Sequence, residues 1–140
     1  MKKVILLPAL FFSLIAFTQP VDELTIRKVL DDQVKAWNQG NIEGFMQGYW
    51  KNDSLMFIGK SGINWGWQKT LENYKERYPD TTAMGKLSFD IILVKRLSPE
   101  YYYVVGKWLL NRSIGDLGGH YNLLFRKING KWFIIADHSS

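Results

Sequence analysis

Residues 120–138 carry two runs in which apolar and polar side chains alternate, interrupted by Asn129-Gly130. Alternation at period two marks half-buried strands. Asn-Gly suits the two left-handed positions of a type I′ turn, so the pattern predicts a hairpin with a two-residue loop. That register sets Ile128 opposite Lys131 and Tyr121 opposite His138. Tyr121, Leu123, Phe125, Trp132, Ile134, Ala136 and His138 then share the core face. His120, Asn122, Leu124, Arg126, Phe133, Ile135 and Asp137 share the other.

Upstream the period changes. From Asp22, a candidate N-cap, to Gln39, the apolar residues Ile26, Leu30, Val34 and Trp37 recur at helical spacing, and Gly40 ends the helix as a C′ glycine. Asn41 is placed to cap a second helix running to about Trp50, with Ile42, Phe45, Met46 and Tyr49 on one side. Gly44 and Gly48 are costly there unless something packs closely against them. Leu55–Ile58 and Ile63–Trp65 read as short strands. A third helix opens at Gly66, lines up Trp67, Leu71, Tyr74 and Tyr78, and stops at Pro79. Leu87–Arg96, Tyr101–Arg112, Tyr121–Ile128 and Lys131–His138 complete the chain as long antiparallel strands. The order ααββαββββ predicts an α+β domain in which three helices from the N-terminal half pack on one face of a curved, cone-shaped sheet.

The first residues stand apart from this pattern. Met1-Lys2-Lys3 precedes an uncharged apolar run from Val4 to Phe17, with small Ala16 and Thr18 at signal-peptidase spacing. This predicts a signal peptide over 1–18, a single domain over 19–140, and a periplasmic or secreted product. An uncleaved anchor is the competing reading, but the run is shorter than the ~20 residues a spanning helix needs. The mature chain is therefore expected to be free of the membrane. The chain has no cysteine, which excludes disulfides, thiolate metal sites and cysteine nucleophiles. Its net charge of +5 falls to +3 without Lys2 and Lys3. Lys69, Lys75 and Arg77 share a helix with Glu72 and Glu76, so the pattern argues for a solvated face and against nucleic acid.

With the order in hand, particular residues suggest a family. Trp37-Asn38-Gln39-Gly40-Asn41, Tyr49 with Asp53, Gly106-Lys107-Trp108, and Gly130-Lys131-Trp132-Phe133-Ile134 running to Asp137-His138-Ser139 resemble the nuclear transport factor 2-like superfamily. The likeness is strongest to its SnoaL-like and ketosteroid-isomerase-like bacterial domains of unassigned function. The resemblance covers nearly the whole mature chain and implies a blind conical pocket between helices and concave sheet, and usually a homodimer. It also implies, for the isomerases, a catalytic Asp on the strand after the second helix. Leu55-Met56-Phe57-Ile58-Gly59 holds no carboxylate, which leaves open whether this chain is an enzyme.

Other carboxylates offer no replacement at this level. Asp90 and Asp137 fall on the outer faces of their strands, and Asp53 sits at a strand entrance where short acids cap backbone amides. Histidine is the next acid–base candidate. His120 and His138 lie on opposite faces, so no joint metal site is expected. His138, inward beside Tyr121, becomes the candidate catalytic pair with that tyrosine, against the alternative that it only satisfies a hydrogen bond at a strand end. Trp50, Trp65, Tyr74 and Trp108 are candidate pocket walls, with Arg112 at the opening to hold an anionic group. Phosphate loops, nucleophile elbows and zinc helices are absent, and no cofactor is expected. Two functions follow. One is a pocket for a small hydrophobic or aromatic molecule, with isomerase, cyclase or lyase-type acid–base activity. The alternative is a noncatalytic module that dimerises or binds protein through an outer sheet face bearing Leu124, Phe133 and Ile135.

Overall fold

The structure is a computed structural model that describes the backbone from Thr18 and the side chains from Val21 through Ser140. The leader expected over 1–18 lies, but for the Thr18 backbone, outside that span. Among the described residues no helix is long and apolar enough to cross a membrane.

Helix α1 (Thr18–Asn38) buries Ile26, Leu30, Gln33 and Trp37 along one side. It begins before Asp22, so Asp22 is no cap. Its carboxylate instead accepts from Lys127 Nζ at 2.9 Å and Trp132 Nε1 at 3.0 Å, tying the helix to the terminal hairpin. Helix α2 (Ile42–Met46) is capped by Asn41, whose Oδ1 accepts from the Gly44 amide at 2.7 Å. It is shorter than its apolar stripe suggests because the chain leaves it to join the sheet. The Ile134 amide donates to Gly48 O, and the Trp50 amide donates to Ile134 O, both at 2.9 Å. The two glycines allow close approach to α1: a Cβ on Gly48 would lie 2.8 Å from Gln33 Cδ, and one on Gly44 would lie 3.0 Å from Ala36 Cβ.

Strands β1 (Met56–Gly59) and β2 (Gly62–Trp65) form a hairpin, followed by α3 (Trp67–Arg77). A one-turn helix, α4 (Thr81–Met84), was not expected. Asp80 starts it, Oδ1 accepting from the Ala83 amide at 2.8 Å, immediately after the proline that closes α3. The long strands are β3 (Lys86–Ser98), β4 (Tyr101–Asn111), β5 (Leu117–Ile128) and β6 (Lys131–Ser139). β5 starts earlier than its alternation does, because Gly118 and Gly119 already pair with Leu109 and Trp108.

The six strands run in the order β2-β1-β6-β5-β4-β3. All neighbours are antiparallel except β1 and β6, which are parallel, so the sheet is mixed. Ile92 and Leu97 in β3 and Ile135 in β6 are extra residues against their partners, and such bulges bend a sheet. The fold is α+β, with helices over the concave face. The core centres on Ile26, Leu30, Met46, Leu55, Tyr102, Val104, Phe125 and Ile134. At the turn end, Trp132 meets Tyr102 edge-on with ring centroids 5.2 Å apart.

Candidate functional site

The terminal hairpin turns as its sequence predicts. Asn129 and Gly130 have φ of 49° and 75°, and Ile128 pairs with Lys131. The register then slips: Phe125 pairs with Ile134 but Leu124 pairs with Ala136, leaving Ile135 without an opposite residue. The bulge lies where β6 exchanges neighbours, from the Gly48–Trp50 segment to β1. With a side-chain period of two, one inserted residue reverses every face beyond it.

Two expectations are corrected by that reversal. His138 is exposed and faces outward, paired with Asn122 and Ile58, so it cannot act with Tyr121 inside the pocket. Asp137, expected outside, points inward and is 4 % exposed. Its neighbour across the parallel ladder is Phe57, the inward residue of the strand that lacks a carboxylate.

Asp137 lines a cavity of about 330 Å³ between sheet and helices. Trp37 and Phe45 from the helices and Phe57, Phe89, Trp108 and Leu110 from the strands supply apolar walls. Gln33, Tyr49, Tyr121 and Ser139 add polar groups, and Lys60, Arg77 and Arg112 also border the space. Of the residues singled out from sequence, Tyr74, Trp108, Arg112 and Tyr121 line this cavity. Trp50 and Trp65 do not. Trp65 is 57 % exposed on the outer sheet face opposite Met56, because β2 alternates Asn64 inward and its apolar residues outward.

The acid is held without a cation. Tyr49 donates its hydroxyl to Asp137 Oδ2 at 2.7 Å, and Ser139 donates to Oδ1 at 2.8 Å. None of the ion pairs among the described residues includes Asp137. Burial pushes its carboxyl up to about 6, against the lowering effect of the Tyr49 and Ser139 hydrogen bonds and of His138. Burial and the Asp137 charge also hold the hydroxyls of Tyr49, Tyr74 and Tyr121 above the usual tyrosine range, so all three remain neutral donors. Tyr121 is distinctive among them. Its ring lies against Phe89, centroids 5.1 Å apart, over Gly106, where a Cβ would stand 2.3 Å from the tyrosine oxygen. Its hydroxyl and the indole N–H of Trp108 are both buried, and among the described residues neither has a hydrogen-bond partner. Neither Asp137 nor its hydroxyl partners could be placed together from spacing. The one trace in the sequence is Ile134-Ile135-Ala136, which breaks the alternation.

A curved mixed sheet closed by N-terminal helices over an apolar, acid-bearing cavity is the architecture of an NTF2-like domain. An NTF2-like protein of unknown function from Shewanella oneidensis MR-1 is 42% identical, with 86% of this chain and 98% of that chain covered and a TM-score of 0.81. The chain belongs to the NTF2-like family. A ketosteroid isomerase-like protein from Erwinia carotovora atroseptica SCRI1043 shares the fold at 17% identity, covering 84% and 93% of the two chains with a TM-score of 0.65. An NTF2-like protein of unknown function from Pseudomonas putida KT2440 does so at 14% identity, covering 86% and 87%, with a TM-score of 0.68. Neither a family model nor a curated protein matches the chain.

Proposed function

We propose that this domain is exported, binds a small, largely apolar molecule in the cavity and shifts a proton on it, with Asp137 as the base and Tyr121 as the donor to a developing oxyanion. The observation that carries this reading is a carboxyl group 4 % exposed, facing aromatic walls, with no cationic partner. A buried acid in that setting lowers stability, and such groups concentrate at sites of chemistry. Tyr121 supports it with a buried hydroxyl that no group among the described residues pairs with. Tyr49, already donating to Asp137, orients the base.

The simplest reaction for this pair is migration of a double bond beside a carbonyl. Asp137 would remove the proton between the two groups, Tyr121 would hold the dienolate oxygen, and the protonated acid would return the proton at the far carbon. Cyclohex-3-enone is a suitable probe, since its conjugated product absorbs in the ultraviolet. The rate is expected to exceed buffer catalysis and to rise with pH about a midpoint near 6, where Asp137 ionises. It should vanish in Asp137→Asn and fall roughly 100-fold in Tyr121→Phe. A rate equal in wild type and Asp137→Asn would end this reading.

A second reading rests on the outer face, where Trp65, Ile63, Leu93 and Leu109 are each more than two-fifths exposed. An apolar sheet face of this kind favours burial against a second copy of the chain. Sedimentation of the wild type and Trp65→Lys tests it, with a dimer expected only for the former.

A further inference from the structure

Three cations border the cavity, and none is neutralised. Lys60 follows β1, Arg77 ends α3, and Arg112 follows β4. Among the described residues none of them has a carboxylate within ion-pair distance. Arg77 and Arg112 come from different elements yet converge on Tyr78. Burial raises that hydroxyl, and the two guanidinium charges pull it down.

The two arginines are not equivalent. Arg112 is built into the wall: its Nε donates to Gly115 O at 2.7 Å and its Nη1 to Ala83 O at 3.2 Å, while among the described residues Nη2 has no acceptor. Arg77 is exposed at the rim, where its last-turn position also suits the α3 dipole. The nearby acids are otherwise engaged or lie to one side. Asp116 accepts from the Arg112 amide, and Glu76 lines an adjoining recess that shares Arg77. Two guanidinium groups brought together without an acid repel each other, and an oxyanion between them removes that repulsion while accepting bidentate hydrogen bonds.

The inward stripe of β4 gives the separation. Trp108 and Leu110 face the cavity, and at about 3.4 Å per residue Arg112 stands roughly 14 Å along the strand from Trp108. The positive rim is therefore separated by apolar wall from the interior where Tyr121 and Trp108 hold unpartnered donors. We infer that the ligand of this cavity is an organic oxyanion, a carboxylate on an apolar ring system, whose ring occupies the aromatic interior and whose charge rests on Arg77 and Arg112. This rests on the pocket reading above and narrows its substrate class.

Isothermal titration with 1-naphthylacetate and its neutral, near-isosteric amide 1-naphthylacetamide tests it at pH 7 and low salt. The carboxylate should bind about tenfold more tightly than the amide, as expected for a charge-assisted contact. Arg77→Gln should bring that ratio close to one, and Arg77→Lys should restore part of it; 0.5 M salt should also compress it. Equal affinity for the two compounds, or a ratio unmoved by Arg77→Gln, overturns the anion preference and leaves the apolar pocket standing. Failure of both compounds to bind at millimolar concentration overturns the pocket reading with it.

Discussion

The two ends of β6 are made of similar residues and do opposite things. From Lys131 to Ile134 the inward positions are core: Trp132 and Ile134 are buried, and the indole N–H of Trp132 is paired with Asp22. Beyond Ile135 the inward positions are Asp137 and Ser139, set against a cavity. Among the described residues the Tyr121 hydroxyl on the adjacent strand has no partner. One half satisfies every demand of folding, and the other carries a desolvated acid and an idle donor. The difference teaches that a single bulge can divide one strand into a part selected for stability and a part that works against it.

The sharpest way to break this comparison is to damage the stable half. Trp132→Ala removes a buried ring and leaves the Asp22 carboxylate without one of its donors, and should cost about 3–5 kcal/mol in urea denaturation. A loss below 1 kcal/mol would show that the turn end is not the anchor. The second prediction has the opposite sign. Asp137 has its carboxyl raised to about 6 in the folded protein from the ordinary 3.8. The native state therefore holds the proton more tightly, and stability declines as pH rises from about 4 through 6. The total is about 3 kcal/mol, since a tenfold change in proton affinity corresponds to about 1.36 kcal/mol. Asp137→Asn should abolish that decline, melting higher than wild type at pH 8 and about level with it at pH 4. A variant less stable than wild type at pH 8 would mean that the carboxylate supports the fold.

Smaller effects sharpen the contrast. Gly106→Ala places a methyl 2.3 Å from the Tyr121 oxygen and 2.7 Å from the Asp90 carbonyl oxygen. Because the second neighbour is backbone, relief requires movement of a strand, and a loss of about 1–3 kcal/mol is expected, together with displacement of the tyrosine. Nuclear magnetic resonance of the Tyr121 ring would register the shift. Tyr49→Phe removes a hydrogen bond that favours the ionised acid, so the Asp137 titration should move upward from about 6 while stability near neutral pH falls by about 1 kcal/mol. A carboxyl carbon titration that moves downward would contradict the assigned geometry.

Local chemistry was legible in the sequence wherever one segment decides its own shape. The Asn129-Gly130 turn, the Ile26 to Trp37 stripe with Gly40 behind it, and the long β4 alternation all follow from residues within a few positions of each other. What the sequence hid depends on partners far along the chain. Asp22 looks like a cap, yet its carboxylate serves Trp132 and Lys127. The bulge at Ile135 arises because β6 pairs first with Gly48–Trp50 and then with β1, and no local propensity encodes that exchange. Strict alternation therefore puts Asp137 on the outer face and His138 on the inner one, the reverse of the structure. Tyr121, upstream on β5, kept its inward face.

The parallel ladder between β1 and β6 carries a kinetic consequence. Among the described strands it is the one parallel seam, three registered pairs long, and each pair joins residues 80 positions apart in the chain. Such a seam closes late in folding and opens early under native conditions, because little local structure supports it. The β1–β2 flap, which carries Phe57 and Gly59 on the cavity wall, should therefore exchange its amide protons well before β3, β4 and β5. Brief detachment of that flap would strip Phe57 and Gly59 from one side of the cavity and widen it toward solvent.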